Sequence, residues 1–122
     1  RLHKLLAEQA GPWAVSGPTR VLGQACLLDT DGHTAQRQRC EATSQRLALL
    51  LERHGFKPQG GCGLFQWLVT EHAQGLHDFM AHRGILLRLF VNTSSLRFGL
   101  PADDNEFLRR EQAFEAYAKD TQ

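Results

Sequence analysis

Two short apolar runs decide the fold: ILLRLF at residues 85–90 and LRFGL at residues 96–100, joined by the polar linker VNTSS at residues 91–95. Aliphatic and aromatic residues between turn-forming residues are typical of β-strands. The linker has the length of a hairpin connection, and Gly84 and Pro101 bound the stretch on either side. We therefore predict two strands that pair with each other.

A third strand is predicted upstream, at residues 64–69 (LFQWLV), after a glycine-rich loop at residues 57–63. Apolar residues at helical spacing predict three helices beside these strands. They are a long helix at residues 33–54, a helix from Thr70 to Arg83, and a C-terminal helix that Asp103 and Glu106 begin as a capping box. Gly55 and Gly84 are expected to end the first two.

Two shorter helices are predicted before residue 33. Leu2, Leu5 and Leu6 mark the first, and Ser16 is placed to cap the second. A turn is predicted at residues 29–32. The order of elements predicts an α+β fold in which a three-stranded sheet is covered by helices. Because many functions share such folds, function has to be argued from individual residues.

The composition excludes several classes of protein. The 122 residues suffice for one domain, and a net charge of +1 gives no overall field that would attract nucleic acid or an anionic membrane. No apolar run approaches the roughly 18 residues of a membrane helix, and the N-terminus lacks a signal-peptide pattern. Three widely spaced cysteines, at positions 26, 40 and 62, are typical of reduced thiols, so we expect a cytoplasmic protein.

The spacing of the histidines, serines and cysteines does not favour a metal site or a catalytic nucleophile. His72, His77 and His82 recur every five residues, which turns successive side chains by about 140° around a helix, so no two form an i, i+4 zinc pair. The serines and cysteines lie in no catalytic signature. We expect neither a metal site nor a catalytic residue in this chain.

Arg88 and Arg97 are the candidate binding residues. Each interrupts a strand that is otherwise built for burial. A guanidinium in such a place needs an anion, which an internal carboxylate could supply, or the side chain could extend to the edge of the sheet. The alternative is bidentate capture of a substrate carboxylate or phosphate, for which arginine is suited.

Three segments resemble one family in order. GILLRLF at residues 84–90 with SLRFGLP at 95–101 resembles the C-terminal end of fold-type I pyridoxal-phosphate enzymes, in the class I/II aminotransferase superfamily. GPWAVSGP at residues 11–18 and GCGLFQW at residues 61–67 resemble the subgroup of threonine-phosphate decarboxylases of cobalamin biosynthesis. The resemblance covers essentially the whole chain. One departure is Ser16-Gly17, where some relatives carry Asn.

The resemblance implies a domain that this chain lacks. Members of the family are much longer and hold pyridoxal phosphate in a large domain with a Schiff-base lysine, which matches none of Lys4, Lys57 and Lys119. Because the chain also lacks an initial Met, we expect an excised C-terminal small domain at residues 33–122, its linking helix at 33–54, after a large-domain remnant at 1–32. Alone it is expected to bind no cofactor, to have no cofactor-binding residues and to be catalytically inactive.

The resemblance also assigns roles to the two arginines. Arg97 corresponds to the residue that grips the substrate α-carboxylate, and Arg88 to a neighbouring arginine near the substrate's anionic groups. The implied full-length enzyme is a lyase that decarboxylates an amino-acid phosphate, and the implied assembly is a homodimer. The exposed apolar stripes of the first two helices are also expected to favour self-association.

Two alternatives remain open at this point. The first is the small domain of a histidinol-phosphate aminotransferase or another class I/II aminotransferase, because the reaction type depends mainly on the absent domain. The second is a non-catalytic interaction module that binds nucleic acid through its arginines. Against the second, the arginines are interleaved with acidic residues instead of being clustered on one stripe.

Overall fold

The computed structural model of the chain describes residues 2–11 and 14–120 and divides into two compact units, residues 1–35 and 36–122. The Pro12-Trp13 pair of the predicted family segment lies outside the described residues. The elements are α1 (Leu2–Ala10), α2 (Gly17–Leu28), α3 (Thr30–Arg53), β1 (Gly60–Cys62), β2 (Phe65–Val69), α4 (Ala73–His82), β3 (Arg88–Phe90), β4 (Ser95–Gly99) and α5 (Asp104–Asp120), with a 3-10 turn at Val91–Thr93. No helix in these ranges is long and apolar enough to cross a membrane.

The first unit is helical and contains α1, α2 and the start of α3. Neither α1 nor α2 has a buried residue among those described. Ser16 caps α2 as predicted, since its Oγ accepts a hydrogen bond from the Thr19 amide. The prediction of a turn at residues 29–32 is wrong. Asp29 Oδ1 accepts from the Gly32 amide at 2.9 Å, so these residues cap and begin α3.

The second unit is an antiparallel sheet with strand order β1-β2-β4-β3. The predicted pairing of the two C-terminal strands is confirmed, with Arg88 opposite Arg97 and Phe90 opposite Ser95. The first of them is shorter than predicted, because residues 85–87 connect it to α4: the Ile85 amide donates to the Met80 carbonyl. The α+β class is therefore confirmed.

The sheet has four strands, which corrects the predicted three. The additional strand β1 lies within the segment that we predicted as a loop, and it pairs with β2 through a tight hairpin, Cys62 opposite Phe65. Its glycines carry no side-chain pattern, so only the backbone pairing defines the strand. The Ser44 hydroxyl donates to the Cys62 carbonyl at 2.7 Å and fixes the end of β1 to α3.

The core lies between one face of this sheet and the helices of the second unit. Burial alternates along β4 from Leu96 onwards, since Leu96 and Phe98 are 0% and 1% exposed while Arg97 and Gly99 are exposed. The buried apolar residues of the helices belong to the same cluster: Leu47, Leu50 and Leu51 of α3, Ala73, Leu76 and Met80 of α4, and Phe107, Ala113 and Phe114 of α5. The other face of the sheet is left outside this core.

Capping interactions fix the ends of the helices around the core. The predicted cap of α5 is present, since Asp103 Oδ1 accepts from the Glu106 amide. The reciprocal bond of a capping box is displaced by one residue, because Glu106 Oε2 accepts from the amide of Ala102. Gly55 and Gly84 end α3 and α4 with φ angles of +81° and +69°, in the left-handed region that favours glycine. Both helix ends thus follow the sequence prediction.

Gly84→Ala should destabilise the fold by about 1 to 3 kcal/mol, because φ is +69° there and a Cβ would lie 2.5 Å from Arg109 Nη2. That guanidinium donates to the Arg83 carbonyl at 2.8 Å and would have to move. Gly75→Ala is the matched control. It lies in α4 with open space around its Cα, so the added methyl should stabilise by up to about 1 kcal/mol. Equal effects of the two substitutions in urea denaturation would contradict this account.

Candidate functional site

The face of the sheet opposite the core carries both candidate arginines. We call it the outer face and define it by Phe65 and Trp67 of β2, Arg88 and Phe90 of β3, and Arg97 of β4. The face follows from the period of two along a strand: Leu96 and Phe98 point into the core, so Arg97 between them points away from it. Trp67 is 40% exposed although it belongs to a strand of the core sheet.

The register places Trp67, Arg97 and Arg88 in one row across three strands. Trp67 lies opposite Arg97, and Arg97 lies opposite Arg88. Directly opposite residues of an antiparallel pair have Cβ atoms about 4.5 to 5.5 Å apart and share a face. Two like charges in this position repel each other, so the row favours an anion that contacts both.

Neither arginine has an internal carboxylate among the residues that the structure describes. The arginine ion pairs in this part of the chain are Arg46 with Asp104 and Arg53 with Glu111, both between α3 and α5. Arg88 and Arg97 instead lie near aromatic rings: the Arg97 Cζ is 5.2 Å from the ring centroid of Phe65, and the Arg88 Cζ is 5.6 Å from that of Phe90. An internal carboxylate was one explanation that the sequence left open for Arg88 and Arg97. The described residues contain no such partner for either arginine.

A cavity of about 350 Å³ opens on the outer face beside Arg97. Its lining is mainly aromatic, with one cation and one hydroxyl: Gly61, Phe65, Trp67, Phe90, Thr93 and Arg97. Arg88 does not line it, although it lies on the neighbouring strand in register with Arg97. The structure therefore places Arg97 in the lining of the cavity and Arg88 beside Arg97 on the neighbouring strand.

This lining can bind an anion but offers no general base or nucleophile of the usual kinds. An apolar wall lowers the local dielectric, which strengthens an ion pair formed by the Arg97 guanidinium. The planar guanidinium presents parallel N–H donors that match the two oxygens of a carboxylate. The arrangement is suited to binding and orienting an acid.

Sequence reasoning missed the aromatic and hydroxyl residues of the cavity. Phe65 and Trp67 carried a usable signal, since they alternate with the core residue Leu68 and with Gln66 along β2. Thr93 carried none, because its position depends on the 3-10 turn between β3 and β4.

The polar contacts of α4 lie apart from the cavity. Within residues 2–11 and 14–120, no three metal-ligating side chains lie together. His77 Nδ1 is 3.0 Å from Asp78 Oδ1, and hydrogen bonds from Gln74 and then His77 lower the pKa of the exposed Asp78 carboxyl. These contacts lie on α4 and involve none of the residues that line the cavity.

The chain is similar to a known enzyme over most of its length. It is 50% identical over 112 residues, 92% of this chain, to a threonine-phosphate decarboxylase from Pseudomonas aeruginosa. This confirms the resemblance that the sequence motifs indicated. The chain spans about a third of that relative, since the match covers 34% of it. No protein-family model matches the chain.

The lining of the cavity does not fit a covalent pyridoxal-phosphate site. No lysine is among its residues. Lys4 lies in α1, Lys57 in the loop before β1 and Lys119 in α5. The lining is thus suited to a non-covalent contact with an anion through Arg97.

A change of salt concentration should shift the free energies of unfolding of Arg97→Gln and Arg46→Gln, each relative to the wild type, in opposite directions. Arg97 faces a like charge, so its neutral variant should gain up to about 0.5 kcal/mol relative to the wild type as ionic strength is lowered. Arg46 has an ion pair with Asp104, so its variant should lose stability under the same change. Urea denaturation at low and high salt measures both. The same direction for both variants would indicate a carboxylate partner at Arg97.

Proposed function

We propose that this chain is the substrate-binding C-terminal small domain of a longer pyridoxal-phosphate-dependent enzyme of the threonine-phosphate decarboxylase type. The observation that carries the proposal is Arg97, a cation without a carboxylate partner among the described residues, in an aromatic cavity. The 50% identity to a threonine-phosphate decarboxylase supports the reaction class. The proposal includes a cytoplasmic homodimer that acts in cobalamin biosynthesis.

Arg97 would bind the substrate carboxylate. Its guanidinium lines the cavity and is flanked by the Phe65 ring and, in register, by Trp67. A bidentate pair in such a place fixes the plane of the carboxylate as well as its position. Orientation of this kind can supply a large part of a rate enhancement, because the bond that breaks is held in one direction.

Arg88 would supply the second positive charge. It lies opposite Arg97 on the next strand, and both side chains are exposed on the outer face. An amino-acid phosphate carries two anionic groups, which matches two arginines at directly opposite positions of neighbouring strands. Binding such a substrate would also remove the repulsion between the two arginines.

An aminotransferase that acts on a substrate with an aromatic ring, such as histidinol phosphate, is the second candidate. The observation in its favour is the lining of the cavity, in which three of the six residues are aromatic rings. Such rings suit an imidazole group through stacking. Release of carbon dioxide from O-phospho-L-threonine by a longer protein that contains this chain supports the first candidate, and conversion of histidinol phosphate to a carbonyl product supports the second.

Arg97→Lys, made in a longer protein that contains this chain, should lower kcat/KM, because the charge remains but the planar fork is lost. The expected loss of transition-state stabilisation is about 2 to 4 kcal/mol. Arg97→Ala should lower it further. Arg88→Lys should cost less, since a point charge suffices near a phosphate. The Tm and the cofactor absorbance should stay close to those of the wild type in each case.

Arg83→Lys is the matched control for these variants. Arg83 packs on Phe79 of α4, with its Cζ 3.4 Å from the ring centroid, and does not line the cavity. Its variant should keep the wild-type kcat/KM. A lowered Tm with normal kcat/KM for Arg97→Lys would mean that Arg97 is a structural residue, and the proposed function would then fail.

A further inference from the structure

The cavity beside Arg97 has one hydroxyl group in its lining, that of Thr93. Thr93 ends the 3-10 turn that joins β3 to β4. Its Oγ1 lies 2.7 Å from the Oγ of Ser95, whereas its distance to the Phe90 carbonyl is 3.5 Å. The first distance is that of a good hydrogen bond between hydroxyls, and the second is too long to hold the Thr93 proton firmly.

Ser95 is buried, and its side chain forms a hydrogen bond with this hydroxyl. It is 0% exposed and lies on β4 two residues before Arg97, so both side chains start from the same side of the strand. Its neighbours across the sheet are Val69 and Phe90, neither of which has a polar side chain. A buried hydroxyl needs a hydrogen-bond partner, and the Ser95 side chain has Thr93 in that role.

The backbone between the two residues is strained. Ser94 has φ 42° and ψ 56°, and it is the one residue other than glycine with a positive φ among those that the structure describes. Its amide donates to the Val91 carbonyl and its carbonyl accepts from the Thr70 amide at 2.9 Å. Strain of this sort persists where the surroundings impose it and is frequent at ligand-binding sites.

We propose that Thr93 is a third contact to the anion that Arg97 binds, and that Ser95 is its positioning residue. This inference rests on the proposed function. If the Ser95 hydroxyl donates to Thr93 Oγ1, the Thr93 proton can exchange its weak 3.5 Å contact with the Phe90 carbonyl for an acceptor in the cavity. A carboxylate held by Arg97 accepts two N–H bonds and has lone pairs left, so it accepts the Thr93 O–H as well. A neutral amide in the same place presents one oxygen and is bound less well.

The test is a titration of the 122-residue chain with O-phospho-L-threonine, followed by the NMR signal of the indole N–H of Trp67, a residue that lines the cavity. Thr93→Val removes the hydroxyl and keeps the shape, and should weaken binding about tenfold. Thr93→Ser restores the hydroxyl and should bind within about twofold of the wild type. Thr43→Val is the matched control, since Thr43 lies on α3 and does not line the cavity.

A double-mutant cycle tests the role of Ser95. Ser95→Ala should weaken binding in the wild-type background and have no further effect in Thr93→Val, because it acts through Thr93. An independent loss in both backgrounds would overturn the positioning role. If Thr93→Val does not fold, Thr93→Ala takes its place in the cycle.

The outcomes separate this inference from the proposed function. Wild-type affinity of Thr93→Val together with loss of binding in Arg97→Gln overturns the role of Thr93 and leaves the proposed function standing. Wild-type affinity of Arg97→Gln overturns both. No response of the wild-type chain at about 50 mM ligand, well above a millimolar dissociation constant, also overturns both.

Discussion

The alternation of side chains along β4 is the constraint on which the rest of the second unit depends. β4 is the one strand that pairs with both β2 and β3, so its register sets the faces of three strands. Leu96 and Phe98 are almost fully buried against the helices. A shift by one residue would bring Arg97 into that core and put Phe98 outside, which the cost of burying an unpaired charge prevents. The position of Arg97 on the outer face is therefore fixed by the packing of its neighbours.

This constraint explains how the sheet can be stable although Arg88 and Arg97 lie directly opposite each other. The core supplies the stability of the sheet from its other face, so the outer face can carry Arg88 and Arg97 opposite each other at a small cost. The aromatic rings beside them soften the repulsion through cation–π contacts and exclude water from one side of the cavity. Two opposed arginines that have no carboxylate partner among the described residues are suited to an external anion. The proposed role as a substrate-binding domain depends on this arrangement.

Local chemistry made part of this structure predictable from the sequence. Helix ends follow from local backbone preferences that are visible in any sequence. Gly55 and Gly84 end helices, and the Asp103–Glu106 pair begins one. The pairing of β3 with β4 follows from two apolar runs and a short linker. β1 was missed because its glycines give no side-chain pattern, and the row from Trp67 to Arg97 was missed because it depends on the non-local pairing of β2 with β4. The resemblance to threonine-phosphate decarboxylases was confirmed by identity, whereas the binding roles of Arg97 and Arg88 stay predictions.

The central claim is that Arg97 binds an external anion on the outer face. A crystal structure of a longer protein that contains this chain, solved with O-phospho-L-threonine or an unreactive analogue, tests it most directly. We expect the ligand carboxylate within about 2.8 Å of the Arg97 guanidinium nitrogens, in a bidentate arrangement beside the Trp67 ring. A ligand bound away from the outer face, or Arg97 paired with a carboxylate of the protein in that complex, would contradict the account.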